Sequence, residues 1–102
     1  MTNEKIIIVI DDEDILEIIP DYLEMRRDEM GVLQAAFAQK DFDALRDHGH
    51  KLKGSGGSFG FDRISEIGGN LESASKSQDL PTIEQEIANL QDYLDRVEVV
   101  GE

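Results

Sequence analysis

The sequence predicts an all-α domain, an up-down-up-down four-helix bundle with a short extra N-terminal helix and a small β pairing of the chain ends. Apolar residues recur at intervals of three and four along most of the chain, which is typical of amphipathic helices. The links between these stretches are short, and helices joined by short links pack most simply as such a bundle. A length of 102 residues fits one domain, residues 1–102, with the core bundle at about residues 20–96.

The two ends of the chain have the composition of strands. Residues 6–10 are all β-branched, and residues 96–100 are also strand-like. We expect the two segments to pair and to tether the termini. They would have to pack on the helices, because an isolated two-stranded ribbon is only marginally stable.

The first helical stretch is interrupted by a proline. Residues 11–14 are all acidic, and a helix N-terminus favours negative charge. Because proline suits the first turn of a helix, the sequence predicts a short helix before Pro20, a bend, and a longer helix over about residues 20–39.

Three further helices follow, each with its own boundary signals. Asp41 is a predicted N-cap for a helix over about residues 42–59, which Gly60 ends. A third helix is predicted over about residues 62–76, and Asp79 is predicted to cap the last one. The inward stripe of the second helix consists of Phe42, Leu45, Gly49, Leu52, Gly56 and Phe59.

Composition and charge exclude several classes of function. Lys and Arg number 10 and Asp and Glu number 23, so the formal net charge is −13, which would repel nucleic acid and anionic membranes. The absence of Cys excludes disulfides and Cys-based metal sites, and two His residues cannot form a His-rich cluster. No apolar run approaches the roughly 20 residues of a membrane span, and no signal peptide is evident. We therefore expect a cytoplasmic protein.

The second predicted helix is unusually rich in glycine, although each glycine costs about 1 kcal/mol relative to alanine in a helix. At about 100° per residue, Gly49 and Gly56 fall on the core stripe, where they would let a neighbouring helix come close. Another face, which points outward, holds a histidine, two cations and a patch without side chains. These residues are Arg46, His50, Lys53, Gly54 and Gly57.

This outward face predicts a nucleophile that handles phosphate. An exposed neutral imidazole, here His50, is a nucleophile at physiological pH. Lys53, one turn away, would neutralise phosphate oxygens, whereas Lys51 projects to a different side and is a weaker candidate. His48 flanks the apolar stripe, so we expect a partly buried residue there and not a second phosphorylation site.

The segment His50-Lys51-Leu52-Lys53-Gly54-Ser55, followed by Gly60, resembles the signature of histidine-containing phosphotransfer (Hpt) domains. The match is dense from Leu45 to Leu71, and the rest of the chain agrees in helix layout and length. The resemblance implies a phosphoprotein intermediate of two-component phosphorelays. Its histidine accepts a phosphoryl group on Nε2 from a receiver-domain phospho-aspartate and passes it to another receiver aspartate.

The resemblance also implies roles for individual residues. His50 would be the phospho-acceptor, Lys53 would stabilise phosphate charge, and Glu72 would orient the His50 ring through Nδ1. Glu72 departs from the Gln of many relay members and looks more like the arrangement in chemotaxis-kinase phosphotransfer domains. Docking of the partner would involve Arg46, Lys51, Gly54 and Gly57.

The family carries a phosphoryl group without being an enzyme, since the receiver completes the chemistry. The resemblance thus implies no cofactor or metal bound by this domain, with Mg²⁺ expected in the partner receiver. The implied partners are response-regulator receiver domains, a hybrid sensor kinase, or both. We expect a monomer, because one phosphorylation site on one face needs no symmetry.

Other interpretations of the sequence are weaker. Residues 6–14 resemble the first strand and acidic pair of a receiver domain, but a receiver requires five parallel strands, and no further buried strand is predicted before Val97. A kinase is disfavoured because no glycine-rich nucleotide loop follows a strand. A non-catalytic helical adaptor, which docks a partner through the same face without phosphorylation of His50, remains the main alternative.

Overall fold

Four helices and two short strands make up the fold. The computed structural model describes residues 4–101. Strand β1 (Ile6–Ile10) is followed by helices α1 (Glu13–Ala38), α2 (Phe42–Ser58), α3 (Asp62–Lys76) and α4 (Leu80–Arg96), and by strand β2 (Val97–Gly101). Each helix packs on the next and α4 packs back on α1. The predicted four-helix bundle is confirmed.

The predicted helix boundaries follow from local capping. The Asp41 carboxylate accepts a hydrogen bond from the Ala44 amide at 3.1 Å, at the start of α2. The Asp79 carboxylate does the same for Thr82 in α4, at 3.3 Å. Gly60 has a φ of +85°, a conformation that favours glycine and turns the chain after α2. These three signals are confirmed.

The predicted break at Pro20 is wrong, because α1 is one continuous helix from Glu13 to Ala38. Proline in a helix interior removes one hydrogen bond, here to the Leu16 carbonyl, at a cost of about 3 kcal/mol. Pro20 itself is exposed, but Ile19, Tyr22 and Leu23 around it are buried. Burial of each such side chain contributes about 1.5–3 kcal/mol, which together outweighs the proline penalty. No separate N-terminal helix therefore forms.

The core lies along the facing stripes of the four helices. The predicted stripe of α2 is buried at Leu45, Gly49, Leu52 and Gly56, and it is half-buried at its two ends, Phe42 and Phe59. It packs on the buried stripe of α3, which consists of Ile64, Ile67, Gly68, Leu71, Ala74 and Ser75. The α2–α3 pair is thus fixed along its length, and the two helices position the candidate site.

The strand pairing of the chain ends is confirmed, and it is parallel. Ile6 pairs with Val97 and Ile10 with Gly101. Ile10 is buried and its side chain reaches the Gly60 turn, so the ribbon packs on the end of the bundle where α2 and α3 meet. Residues 4–101 contain only these two strands, which rules out the receiver fold.

Candidate functional site

The site is built around His50, in the middle of α2 on its outward face. The His50 side chain is 74% exposed. Lys53, Lys51 and Arg46 are exposed on the same helix, and no carboxylate among residues 4–101 forms an ion pair with any of the three. The helix that carries the accessible imidazole thus also carries three cations without ion-pair partners, and the exposed acids Asp43 and Asp47 lie on the two turns before His50.

The second feature is the contact between His50 and α3. His50 Nδ1 lies 3.0 Å from Glu72 Oε2, and the Glu72 side chain is only 17% exposed. A carboxylate oxygen accepts hydrogen bonds, so Nδ1 carries the proton and donates. In the neutral ring, the Nε2 lone pair is then free on the solvent side, where an electrophile can reach it.

Close packing of α2 on α3 makes this contact feasible, and it depends on glycines. A Cβ added at Gly49 would lie 2.6 Å from the Glu72 nitrogen and 2.8 Å from the Gly68 carbonyl. One added at Gly56 would lie 2.6 Å from the Ser65 nitrogen. Side chains cannot occupy such space, so the backbones touch directly. The predicted role of Gly49 and Gly56 in close approach is therefore observed.

The two outward glycines have the opposite environment. A Cβ at Gly54 would meet nothing within 4 Å, and one at Gly57 would meet only the Ser65 hydroxyl, at 3.7 Å. No packing constraint in this structure requires glycine at these two positions. Gly54 and Gly57 leave a surface without side chains one turn beyond His50, which would let a partner approach the ring.

Helix α3 contacts both the backbone and the side chain of Lys53. The Ser65 hydroxyl donates a hydrogen bond to the Lys53 carbonyl at 2.8 Å. A Cβ at Gly69 would lie 3.7 Å from Lys53 Cδ, so the aliphatic stem of the lysine runs over a second glycine of α3. Lys53 lies one turn after His50, and its ammonium group is free to meet an anion beside the ring.

His48 has a different environment from His50. Its side chain is 23% exposed, and Nδ1 lies 3.4 Å from Glu29 Oε2 on α1. The same carboxylate lies 3.7 Å from Arg26 Nε, and the Arg26 guanidinium sits 5.0 Å from the centre of the Tyr22 ring. His48 is the partly buried boundary residue that the sequence predicts.

Two contacts of the site were not predicted from the sequence. Gly68 on α3 mirrors Gly49, since a Cβ there would lie 2.7 Å from the Gly49 carbonyl. Tyr22 of α1 hydrogen-bonds Ser55 of α2 at 2.9 Å, and burial raises the pKa of Tyr22. The Gly68-Gly69 pair in a predicted helix was an available signal for the first contact. Nothing in the sequence indicates the second.

The comparison with protein families agrees with this geometry. The family model of the Hpt domain matches residues 17–99, nearly the whole chain. The chain belongs to the Hpt domain family, and this membership implies histidine phosphotransfer in a phosphorelay. No curated protein and no solved structure matches the chain significantly.

Residues 4–101 also lack the features of two other kinds of site. None of the helices within residues 4–101 is both long and apolar enough to cross a membrane. Over the same residues, no group of three or more His, Cys, Asp or Glu side chains is arranged to hold a metal ion.

Proposed function

We propose that His50 accepts a phosphoryl group on Nε2 from the phospho-aspartate of a receiver domain and passes it to the aspartate of another receiver. The observation that carries this proposal is the His50 ring itself, which is 74% exposed and held through Nδ1 by Glu72 at 3.0 Å. In the forward step the Nε2–P bond forms, the acyl P–O bond breaks, and the aspartate leaves as a carboxylate. In the second transfer, the aspartate carboxylate of the other receiver attacks the phosphorus, the acyl P–O bond forms, and the Nε2–P bond breaks.

Glu72 and Lys53 would act on different charges in this reaction. Phosphorylation of Nε2 makes the imidazole ring cationic, since Nδ1 keeps its proton. The Glu72 carboxylate would stabilise that charge and hold the ring in one orientation. The Lys53 ammonium would neutralise oxygens of the transferred group, because phosphoryl transfer depends chiefly on positioning and charge neutralisation.

The domain would be a phosphoryl carrier and not an enzyme, within a cytoplasmic two-component pathway. Its own groups position the nucleophile, while the receiver or hybrid-kinase partner would supply Mg²⁺ and the acidic pocket. The transfer requires only one copy of this chain. The single domain proposed spans residues 1–102.

The partner would dock across α1 and α2. Three large apolar side chains of α1 are exposed at heptad spacing, namely Ile18 (46%), Met25 (59%) and Val32 (52%). By helical projection they lie within about 60° of Glu29, which contacts His48 on α2. They therefore border the helix that carries the remaining docking residues, which are Arg46, Lys51, Gly54 and Gly57. An apolar strip beside cations suits a receiver surface with an acidic pocket.

The test uses a receiver domain pre-charged with radiolabelled phosphate. Mixed with the full chain, it should give an acid-labile, alkali-stable label, as expected of phospho-histidine. His50→Gln should take up no label, while the matched variant His48→Gln should be labelled like wild type. Label that persists in His50→Gln would refute the choice of residue. No label from any of several receivers, with binding still measurable, would favour the adaptor alternative.

A second pair of variants tests the cation. Lys53→Ala should slow transfer by about tenfold, the loss of one charge-assisted contact of about 1.4 kcal/mol. Lys51→Ala removes the same charge from the same helix and should have a smaller effect. Equal effects of the two variants would mean that only the net charge of the surface matters.

A further inference from the structure

The outward side chains of β1 form an apolar surface that no other part of residues 4–101 covers. The alternate residues Ile6, Ile8 and Ile10 turn towards the core. On the outer face, Ile7 is 52% and Val9 is 56% exposed. Their neighbours in β2 on this face are the exposed Glu98 and Val100, so the apolar part of the face belongs mainly to β1. A two-stranded ribbon is only marginally stable, and additional strands stabilise it.

Within residues 4–101, the outer edge of β1 also has no strand beside it. The sheet contains β1 and β2 alone, and no backbone hydrogen bond from another segment of residues 4–101 reaches residues 6–10. All five residues of β1 are apolar and β-branched, in a chain of net charge −13. An exposed, uncharged, β-branched edge is a template for pairing with another strand.

This edge is not part of the phosphotransfer machinery. The family match covers residues 17–99 and begins after β1. His50 lies about ten residues before the Gly60 turn on which the ribbon packs, a distance of roughly 15 Å along α2. A second chain at the ribbon would leave His50 accessible.

We propose that β1 pairs antiparallel with β1 of a second copy of this chain, about a two-fold axis at Ile8, to form a four-stranded sheet. In this register Ile7 lies opposite Val9 of the second copy, and Ile6 lies opposite Ile10. One residue further out on each side, Lys5 lies opposite Asp11. The strand is thus complementary to itself in shape, and the pair that flanks it is complementary in charge, as a C2 dimer requires. The next pair in this register, Glu4 and Asp12, is of like charge, but Asp12 has left the strand as the N-cap of α1.

Salt should strengthen this dimer. Two copies of net charge −13 repel each other, and counterions screen that long-range repulsion more than they weaken two local Lys5–Asp11 pairs. The sequence alone predicted a monomer, because one phosphorylation site on one face needs no symmetry. That argument does not concern the β1 edge. The proposed dimer does not depend on whether His50 is phosphorylated.

The test is sedimentation equilibrium of the full chain, from about 10 µM to about 1 mM, at about 0.1 M and 0.5 M salt. We expect a concentration-dependent dimer that tightens at higher salt. The double variant Ile7→Lys/Val9→Lys puts like charges opposite each other at two pairs and should be monomeric. Ala35→Lys/Ala88→Lys makes the same charge change at two exposed helical positions outside the ribbon and should still dimerise.

A charge exchange tests the register without altering the strand. Lys5→Glu should weaken the dimer about tenfold, as should Asp11→Lys, and the double variant Lys5→Glu/Asp11→Lys should restore it. A wild-type chain that is monomeric at every concentration and salt would overturn the proposal. So would a dimer that persists in Ile7→Lys/Val9→Lys, or one in which the charge exchange gives no rescue.

Discussion

The glycines between α2 and α3 allow a prediction in which two opposing energies can be compared. Gly49→Ala improves helix propensity by about 1 kcal/mol. It also adds a Cβ at 2.6 Å from the Glu72 nitrogen and 2.8 Å from the Gly68 carbonyl. Ordinary contact begins near 3.4 Å, so α3 would have to move by about 0.8 Å. These neighbours are backbone atoms, which cannot rotate away.

Overpacking of a tight interior costs about 1–3 kcal/mol, and contact with rigid backbone belongs at the upper end. Gly49→Ala should therefore lower the free energy of unfolding by about 1–2 kcal/mol. Gly54→Ala is the matched control on the same helix, because its Cβ would meet nothing within 4 Å. That variant should gain about 1 kcal/mol from helix propensity alone.

Urea denaturation followed by circular dichroism measures both values. The thermal midpoints should move in opposite directions, by about 4–8 °C per kcal/mol for a domain of this size. In Gly49→Ala, nitrogen NMR of His50 should also show loss of the fixed Nδ1–H tautomer, since α3 carries Glu72. A Gly49→Ala variant as stable as wild type would refute the argument that glycine is required for this approach.

Three other perturbations have defined outcomes. Burial raises the pKa of Tyr22 and of Tyr93 above the usual value of 10.0. Because the folded state favours the neutral phenols, the free energy of unfolding should stay constant through neutral pH and fall as the pH rises beyond about 10. Ultraviolet titration of the phenols beside thermal melts measures this, and ordinary titration near pH 10 would contradict it. Pro20→Ala restores a donor for the Leu16 carbonyl and should stabilise the protein by about 1–3 kcal/mol in urea denaturation, whereas an unchanged midpoint would mean that the helix absorbs the proline without loss. Asp79→Ala removes an N-cap and should cost about 1 kcal/mol by the same assay; no loss would indicate that water replaces the carboxylate.

Local signals account for most of what the sequence predicted. Asp41, Gly60 and Asp79 act on their own helix ends, so local signals were enough to locate both ends of α2 and the start of α4. Helix α3 has no side-chain cap at its N-terminus, and it was located by its apolar periodicity. The proline rule failed at Pro20 because it describes the backbone alone. Burial of the residues around Pro20, which only the folded bundle provides, outweighs the lost hydrogen bond.

Contacts between helices were predictable only where both partners carry a recognisable pattern. The resemblance to Hpt domains linked His50 to Glu72, and the helical projection separated the buried Gly49 from the open Gly54. The contacts of Tyr22 with Ser55 and of Ser65 with the Lys53 carbonyl depend on how far each helix is rotated about its axis. That rotation is set by packing of the whole core, which a single sequence does not reveal.

The parallel ribbon has a consequence for the order in which the protein folds. Ile6 pairs with Val97, so the first contact closes a loop of about 90 residues, at an entropic cost of about 4 kcal/mol from an open chain. Once the four helices have packed, the two ends already lie at one end of the bundle and that cost has been met. We therefore expect the strands to pair last and to open first. Their amides should exchange with solvent deuterium while those of α2 and α3 remain protected, without global unfolding.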